Sequence, residues 1–422
     1  MSEWVIDQLH NLLDFQKGKK VETSEIQRSG YERYLGAASL VGGHDGYAST
    51  RFSVKANKDD VLMLWDGERS GLVGHNLTGV VSSTVTKLSP NNKIISSLLY
   101  YYLLQSFEWI QNRRTGTGVP HVPKDLMKIL KLKYPKENKY QKKVALILET
   151  VDQAIEKTEA LIYKYQQIKA GLMHDLFTRG VTADGKLRPL REQAPELYKE
   201  TPIGWIPKEW DIVRASDICH PITKGTTPST FINNANRIKS IPYIRVENLS
   251  FNGSLRFDMD SLFVSNIIHN SELARSKVFP GDILMNIVGP PLGKVSLITD
   301  EYEEWNTNQA VSIYRVLHQR YRLYLLYYLL SDFAQKWFYL RSKRTSGQVN
   351  LTLEMCSNLE MPLPKNEGEL ASISNILSQI FEKINIENNF RIKLKKQKSG
   401  LMNDLLTGKV QVTIDQEETT HV

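Results

Sequence analysis

A chain of 422 residues with 41% hydrophobic and 24% charged residues has the composition of an ordinary soluble globular protein, long enough for two to three domains with cores of their own. Its two cysteines, Cys219 and Cys356, make neither a disulfide framework nor a zinc pattern; no apolar run reaches the roughly 18 residues of a membrane span, and no signal-peptide layout opens the chain, so buried thiols, a cytoplasmic location and no membrane partner are expected. The formal net charge of +8 suits a polyanionic partner without selecting one.

In chain order, residues 1–136 read as a first mixed globule. Trp4 opens a short amphipathic stretch that closes on Lys17-Gly18-Lys19-Lys20. Strand-like runs follow at 33–36, 60–65 and 80–85, separated by glycine and polar clusters that suit turns. Residues 96–111 read as a helix, with Leu99, Tyr102, Leu103 and Ile110 at its apolar positions. The polar loop Arg113-Arg114-Thr115-Gly116-Thr117-Gly118 comes next and leads through Val119-Pro120 to His121.

Over 137–180 the period changes. Positions 144, 148, 151, 155, 158, 162, 165, 169, 172 and 176 alternate steps of four and three. Eight of the ten are apolar, Leu148, Val151, Ile155, Ile162 and Leu172 among them. A spacing of about 3.5 residues is a coiled-coil seam, on a helix of roughly 55–60 Å at 1.5 Å per residue. Glycines and prolines then break any regular element over 181–207, which reads as a connector.

A second globule, 208–365, replays the first in order. Trp210 and Lys224-Gly225 answer Trp4 and Lys17-Gly18. Tyr243-Ile244-Arg245 answers the strand at Tyr34. Gly281-Asp282-Ile283-Leu284-Met285 answers Asp59-Asp60-Val61-Leu62-Met63. Tyr327-Tyr328-Leu329-Leu330 answers Tyr101-Tyr102-Leu103-Leu104, and Lys343-Arg344-Thr345 answers Arg113-Arg114-Thr115. A second long helix fills 366–409. Its seam holds seven apolar residues of ten, including Leu377, Ile380, Ile384, Leu394 and Leu401. Residues 410–422 read as a frayed tail.

The two helices end alike. Lys169-Ala170-Gly171-Leu172-Met173-His174-Asp175-Leu176-Phe177-Thr178 returns 229 residues later as Lys398-Ser399-Gly400-Leu401-Met402-Asn403-Asp404-Leu405-Leu406-Thr407. That period is too long for a solenoid, whose repeat is roughly 20–50 residues. One globule-plus-helix unit has been used twice. The expected fold is therefore α+β. It has two mixed α/β globules and two long helices paired antiparallel in an intramolecular coiled coil, with pseudo-twofold symmetry. Lys169 and Lys398 share a seam position, where a polar residue either fixes register or marks the seam leaving contact.

No catalytic constellation stands out. Gly289-Pro290-Pro291-Leu292 lacks the amide or acid and the aromatic of an amino-methyltransferase loop. Val295 stands where a phosphate loop needs a magnesium-binding hydroxyl. No Gly-x-Gly-x-x-Gly follows a strand, and the nine histidines are scattered, away from zinc-protease spacing. The chain reads as non-enzymatic, with no metal site.

The matched loops carry what DNA recognition needs: Lys and Arg for phosphates, and Arg, Lys, Asn, Gln, Ser and Thr for base edges. In the first globule these are Lys17, Lys19, Lys20, Ser82, Ser83, Arg113, Arg114, Thr115, Thr117 and His121. In the second they are Lys224, Thr226, Thr227, Arg245, Asn248, Asn308, Gln309, Lys343, Arg344, Thr345, Gln348 and Asn350. Basic loops are often merely solvated; a basic dipeptide followed by Thr at the same place in both halves argues for use.

The helix endings at 169–178 and 398–407, the entry from Pro202 to Trp210 and the Tyr243-Ile244-Arg245 strand resemble the specificity (S) subunits of type I restriction-modification systems, over nearly the whole chain. Gly36 departs from that pattern, where the family carries a bulkier residue. The resemblance implies two target recognition domains, each reading half of a bipartite, asymmetric site in double-stranded DNA. It implies helices that set the unread spacer and dock two modification (methyltransferase) subunits, joined by restriction subunits. S-adenosylmethionine, ATP and magnesium would belong to those partners, and this chain would bind no cofactor. The alternatives from the residues alone are a coiled-coil scaffold whose globules bind protein, and a self-contained nuclease or methyltransferase, against which the missing motifs speak.

Overall fold

The computed structural model of the chain describes residues 3–116, 118–232, 240–257, 262–345 and 348–414, without the side chains of Arg344, Thr345 and Gln348. It divides into two compact units, Met1–Glu159 with Asn389–Val422, and Ala160–Asn388. The division falls inside both long helices, α1 (Asn138–Thr178) and α2 (Glu367–Leu406). Each unit is thus a globule with part of each helix.

Unit 1 is built on a four-stranded antiparallel sheet in the order Leu13–Lys17, Val85–Pro90, Val61–Leu64, Val73–His75. Unit 2 has the same sheet: Cys219–Lys224, Val311–Val316, Ile283–Asn286, Val295–Leu297. Beside it, Tyr31–Leu35 runs parallel to Gly79–Val81 in unit 1, as Ser240–Ile244 runs parallel to Trp305–Thr307 in unit 2. A third antiparallel pair closes each globule: Trp4–Gln8 with Lys131–Pro135, and Asp211–Arg214 with Glu360–Leu363.

The third strand of the four-stranded sheet shows why the apolar run at 60–65 is continuous and not alternating. Side chains on a strand point to opposite faces in turn, and here both faces are covered. Val61 and Met63 pack with Leu98, Leu99 and Tyr102 of the helix Ser96–Gln105. Leu62 and Leu64 pack with Leu35 and Val81 of the neighbouring sheet. In unit 2, Ile283 and Met285 join Leu325 and Tyr328, while Leu284 joins Ile244 and Trp305. Cys219 and Cys356 are free and buried in that core; burial pushes their thiols up to about 12 and about 11.

Three expectations change in detail. The helix at 96–111 breaks at Ser106, whose hydroxyl donates to Tyr102 O at 2.8 Å. The run at 80–85 supplies two strands, Gly79–Val81 and Val85–Pro90, joined by a turn. The connector is not irregular throughout. Tyr198–Thr201 and Gly204–Pro207 form a hairpin around Pro202-Ile203, and Arg188 is buried, ion-paired to Glu369 of α2. The prolines sit where a short hairpin tolerates them, at its turn and its last residue. The tail is described only to residue 414.

The long helices fulfil the seam pattern. All ten seam positions of α1 and all ten of α2 are buried or half-buried. The helix parts are antiparallel within each unit. In unit 1, Asp152 meets Lys398 at 2.5 Å and Glu159 meets Lys395 at 2.8 Å, so one number rises as the other falls. In unit 2, Met173, Leu176 and Phe177 pack with Leu370, Ile373 and Leu377, and Val181 N donates to Glu369 at 3.0 Å. Both seam lysines stay in contact. Lys398 pairs with Asp152, and Lys169 lies 4.8 Å from the Phe381 ring centroid, where burial lowers its pKa and Asp332 opposes the shift.

The repeated helix ending is the joint between helix and globule. Met173, Leu176 and Phe177 are buried, as are Met402, Leu405 and Leu406. Phe177 meets the edges of Tyr324 and Tyr328; Tyr102 donates to Leu406 O at 3.1 Å. Gly180 and Gly408, at φ +64° and +72°, end the helices in the left-handed conformation that stops a helix. No helix among the described residues is long and apolar enough to cross a membrane.

Candidate nucleic-acid interface

In unit 1 the candidate residues gather at one end of the two sheets. Strand pairing carries Lys17 to the sheet end and turns the chain at Gly18, whose amide donates to Val85 O at 2.9 Å. A Cβ on Gly18 would lie 2.1 Å from Ser82 O, so only glycine lets the two turns touch. Ser82 is buried; its hydroxyl accepts from Tyr34 at 3.0 Å and shares a bond with Thr84. It supports the surface from beneath, with half-buried Ser83 above it.

Asp66 organises the rest. Its carboxylate takes Lys17 Nζ and His121 Nδ1, both at 2.7 Å. His121 bridges Asp66 on one side and exchanges two backbone bonds with Thr115 on the other. Arg114 points inward: Nε donates to Gln111 O at 2.9 Å and Nη1 to Glu68 O at 2.5 Å, which ties the loop to its own frame. Arg113 is exposed and lies on the Trp109 ring, 4.1 Å from its centroid. Lys19 and Lys20 are exposed, without an ion pair among the described residues. Thr117 lies outside the described residues.

Unit 2 repeats the frame with other side chains. A Cβ on Gly225 would lie 2.0 Å from Thr307 O. Gly225 N donates to Val311 O at 3.1 Å and Thr226 N to Thr307 O at 2.9 Å. Tyr243, which burial pushes up to about 12, stays protonated and donates to Thr226 O at 2.8 Å. Thr227 donates to Gln309, and Asn308 Oδ1 accepts from Ala310 N at 3.2 Å, shaping the turn. Lys224 is exposed.

Parallel pairing of Ile244 with Thr307 brings Arg245 to this same sheet end. Arg245 is paired with Glu247. Asn248 is structural: Oδ1 accepts from Arg245 N at 2.8 Å and Nδ2 donates to Arg256 O at 2.9 Å. In unit 1 the equivalent strand ends at Gly36, where the Asp45 carboxylate accepts from the amides of Gly36, Ala38 and Ser39. A carboxylate-held turn there replaces the arginine.

The loop Arg113–His121 and the hairpin of unit 2 are one device in two sizes. Lys343–Thr345 pairs with Gln348–Asn350, which pairs with Val288–Gly289. In unit 1 this sheet shrinks to two bridges, Thr115 to His121 to Asp66. The connections agree: Val122 N donates to Trp65 O as Leu351 N donates to Ile287 O, both at 2.9 Å. Thr115 therefore corresponds to Lys343, and His121 to Asn350. This shifts the sequence match of Arg113-Arg114 with Lys343-Arg344 by two residues. In that frame the partner of Arg113 is Arg341, exposed and 4.3 Å from the centroid of Trp337. Lys343 is exposed. The backbones of Arg344, Thr345 and Gln348 lie in the hairpin.

Reading by residue type missed both the Asp66 hub and the Trp–Arg pairs. The pairs had a signal: Trp-x-x-x-Arg stands at 109–113 and again at 337–341, just before each loop. Among the described residues no group of three His, Cys, Asp or Glu could hold a metal ion.

Comparisons with known proteins agree with this duplicated architecture. The family model of the type I restriction modification DNA specificity domain matches residues 1–164 and 207–396. The type I restriction enzyme MjaVIII specificity subunit of Methanocaldococcus jannaschii is 28% identical over 425 aligned residues, covering 97% of this chain and 93% of that protein. A putative type I restriction enzyme specificity subunit from the same organism, MjaX, is 29% identical over 215 residues, half of each chain. The crystal structure of a type I restriction-modification S subunit from M. genitalium shares the fold, with a TM-score of 0.65 at 16% identity over 98% of this chain and 97% of that one.

Proposed function

Since the chain belongs to the family of type I restriction-modification DNA specificity proteins, we propose that each of its two units reads one half of a bipartite, asymmetric site in double-stranded DNA. The observation that carries this is the pairing of a shared frame with unlike loops. Gly18 on Ser82 and Gly225 on Thr307 place the same turns at the same sheet ends. The side chains offered there differ: Lys17 and His121 about Asp66 in one unit, Lys224, Thr227, Gln309 and Arg245 in the other. Two readers on one scaffold suit two different half-sites.

Affinity comes from lysines and arginines on phosphates, and discrimination from the hydroxyl, amide and guanidinium groups of the loops. The long helices fix the unread spacer, and with the repeated helix endings they dock two modification subunits. Tethering both half-site contacts in one body raises the effective concentration of the second after the first has formed. In this reading the chain selects sequence and performs no chemistry. Methyl transfer from S-adenosylmethionine, and the ATP- and magnesium-dependent steps, belong to the modification and restriction subunits. The scaffold alternative gains no support from the relatives named above.

The test is a methylome. Expressed with its modification subunits in a host lacking other methyltransferases, the protein should direct methylation to one bipartite sequence. Replacing residues 343–350 should relax one half-site and leave the other intact. Equal degradation of both halves would remove the hairpin from direct reading.

A further inference from the structure

Two guanidinium groups at the candidate surface are already held. Arg245 is paired with Glu247, and Arg114 with two backbone carbonyls. Arg113 and Arg341 are different. Each is exposed, each has no acidic partner among the described residues, and each is laid on a half-buried tryptophan four residues earlier. Stacking on the indole face holds the guanidinium plane while its N–H edges stay outward. Arg113 gives one donor to Trp109 O at 3.2 Å and keeps the others. Each pair ends two residues before the first bridge of its loop, at Thr115 in unit 1 and Lys343 in unit 2.

Resting on the DNA reading above, we propose that Trp109–Arg113 and Trp337–Arg341 are a matched pair of DNA phosphate clamps, one in each unit. Two half-sites of different sequence share only their sugar–phosphate backbone. A contact kept in both units while every loop around it changes is therefore suited to that common feature and not to a base. The chemistry agrees. A pre-oriented guanidinium binds a phosphate in a bidentate fork, and stacking lowers the cost of ordering a long side chain. The clamp lies at the root of the loop, so it sets the register from which the loop reaches base edges.

The experiment uses the chain in complex with its modification subunits. Binding is measured from 50 to 300 mM NaCl on two labelled duplexes, one of random sequence and one bearing the sequence found methylated. Each of R113Q and R341Q should lower the slope of log K against log[NaCl] by about one, and the double variant by about two. Both duplexes should weaken by the same factor, with the methylated sequence unchanged. R113K and R341K, which keep the charge but lose the planar stack and the bidentate fork, should retain most of the slope while weakening both duplexes by the same factor. An unchanged slope in the Gln variants overturns the clamp, as does a changed base in the methylated sequence, which would make the arginine a base reader. Weaker capture of modification subunits with normal DNA binding would make it a protein contact and also overturns it. A wild-type complex without sequence-selective, salt-dependent binding would instead bring down the DNA reading itself.

Discussion

Gly18 and Gly225 carry more of the candidate interface than their size suggests. Neither needs an unusual φ; each is glycine because another chain segment passes where a Cβ would be. A methyl at Gly225 would meet two carbonyl oxygens, of Thr307 at 2.0 Å and Asn308 at 2.3 Å, and backbone on both sides leaves nothing flexible to yield. Gly225→Ala should therefore destabilise unit 2 by about 1–3 kcal/mol, the range for overpacking, read as a lower urea midpoint. The helix glycines of the repeated ending behave oppositely. Nothing lies within 4 Å of a Cβ built on Gly171 or Gly400. Gly171→Ala should raise the stability of the isolated chain by about 0.5–1 kcal/mol, seen as a higher midpoint. If the modification subunits pack closely on this face, the same variant will bind them more weakly in a pull-down titration. Unimpaired binding would place their contact elsewhere. Lys-Gly recurs visibly in the sequence, but what each glycine touches lies more than sixty residues downstream, and Asp66, the hub that holds Lys17, lies nearly fifty. Residue types mark a surface; partners distant in sequence decide which side chains remain available on it.

At the scale of elements, the long helices were legible because their order is local. A seam repeats every few residues, and tertiary packing only has to accept it. All twenty positions chosen by spacing lie buried or half-buried, even those occupied by Thr158, Glu387 and Arg391. The strands were legible in part. The run at 60–65 is apolar on both faces and stands out, whereas 80–85 mixes the end of one strand, a turn and the start of another. Pairings such as Leu13–Lys17 with Val85–Pro90 join residues some seventy apart and leave no periodic trace. The hairpin at 198–207 was hidden by prolines that break helices but suit a short two-stranded turn. The seam also separates two kinds of contact. Leu377 is fully buried, so Leu377→Ala should cost about 2–5 kcal/mol in a urea titration. Lys395 and Glu159, beside the seam, keep side-chain exposures of 55% and 43%, so Lys395→Ala should cost no more than about 1 kcal/mol, less at high salt. Similar losses from both would mean the seam is held by charge and not by packing.

At the scale of the whole molecule, the duplication itself was legible because the helix endings repeat nearly letter for letter; the loops between them did not reveal their correspondence. Only backbone pairing showed that Thr115 and Lys343 take the same place, since insertions had shifted one globule against the other by two residues at this loop. The proposed division of labour, loops reading and helices measuring, can be tested without touching a loop. Four residues of helical sequence inserted after Glu159 and four after Asn388 lengthen both long helices together at the division between the units, which preserves their antiparallel pairing. Each insertion adds about 6 Å at 1.5 Å per residue, close to two base pairs at 3.4 Å each. The host methylome should then show both half-sites unchanged and the unread spacer longer by about two base pairs. A spacer of the original length, with methylation at the wild-type level, would mean that the helices hold the units together without setting the distance the protein reads.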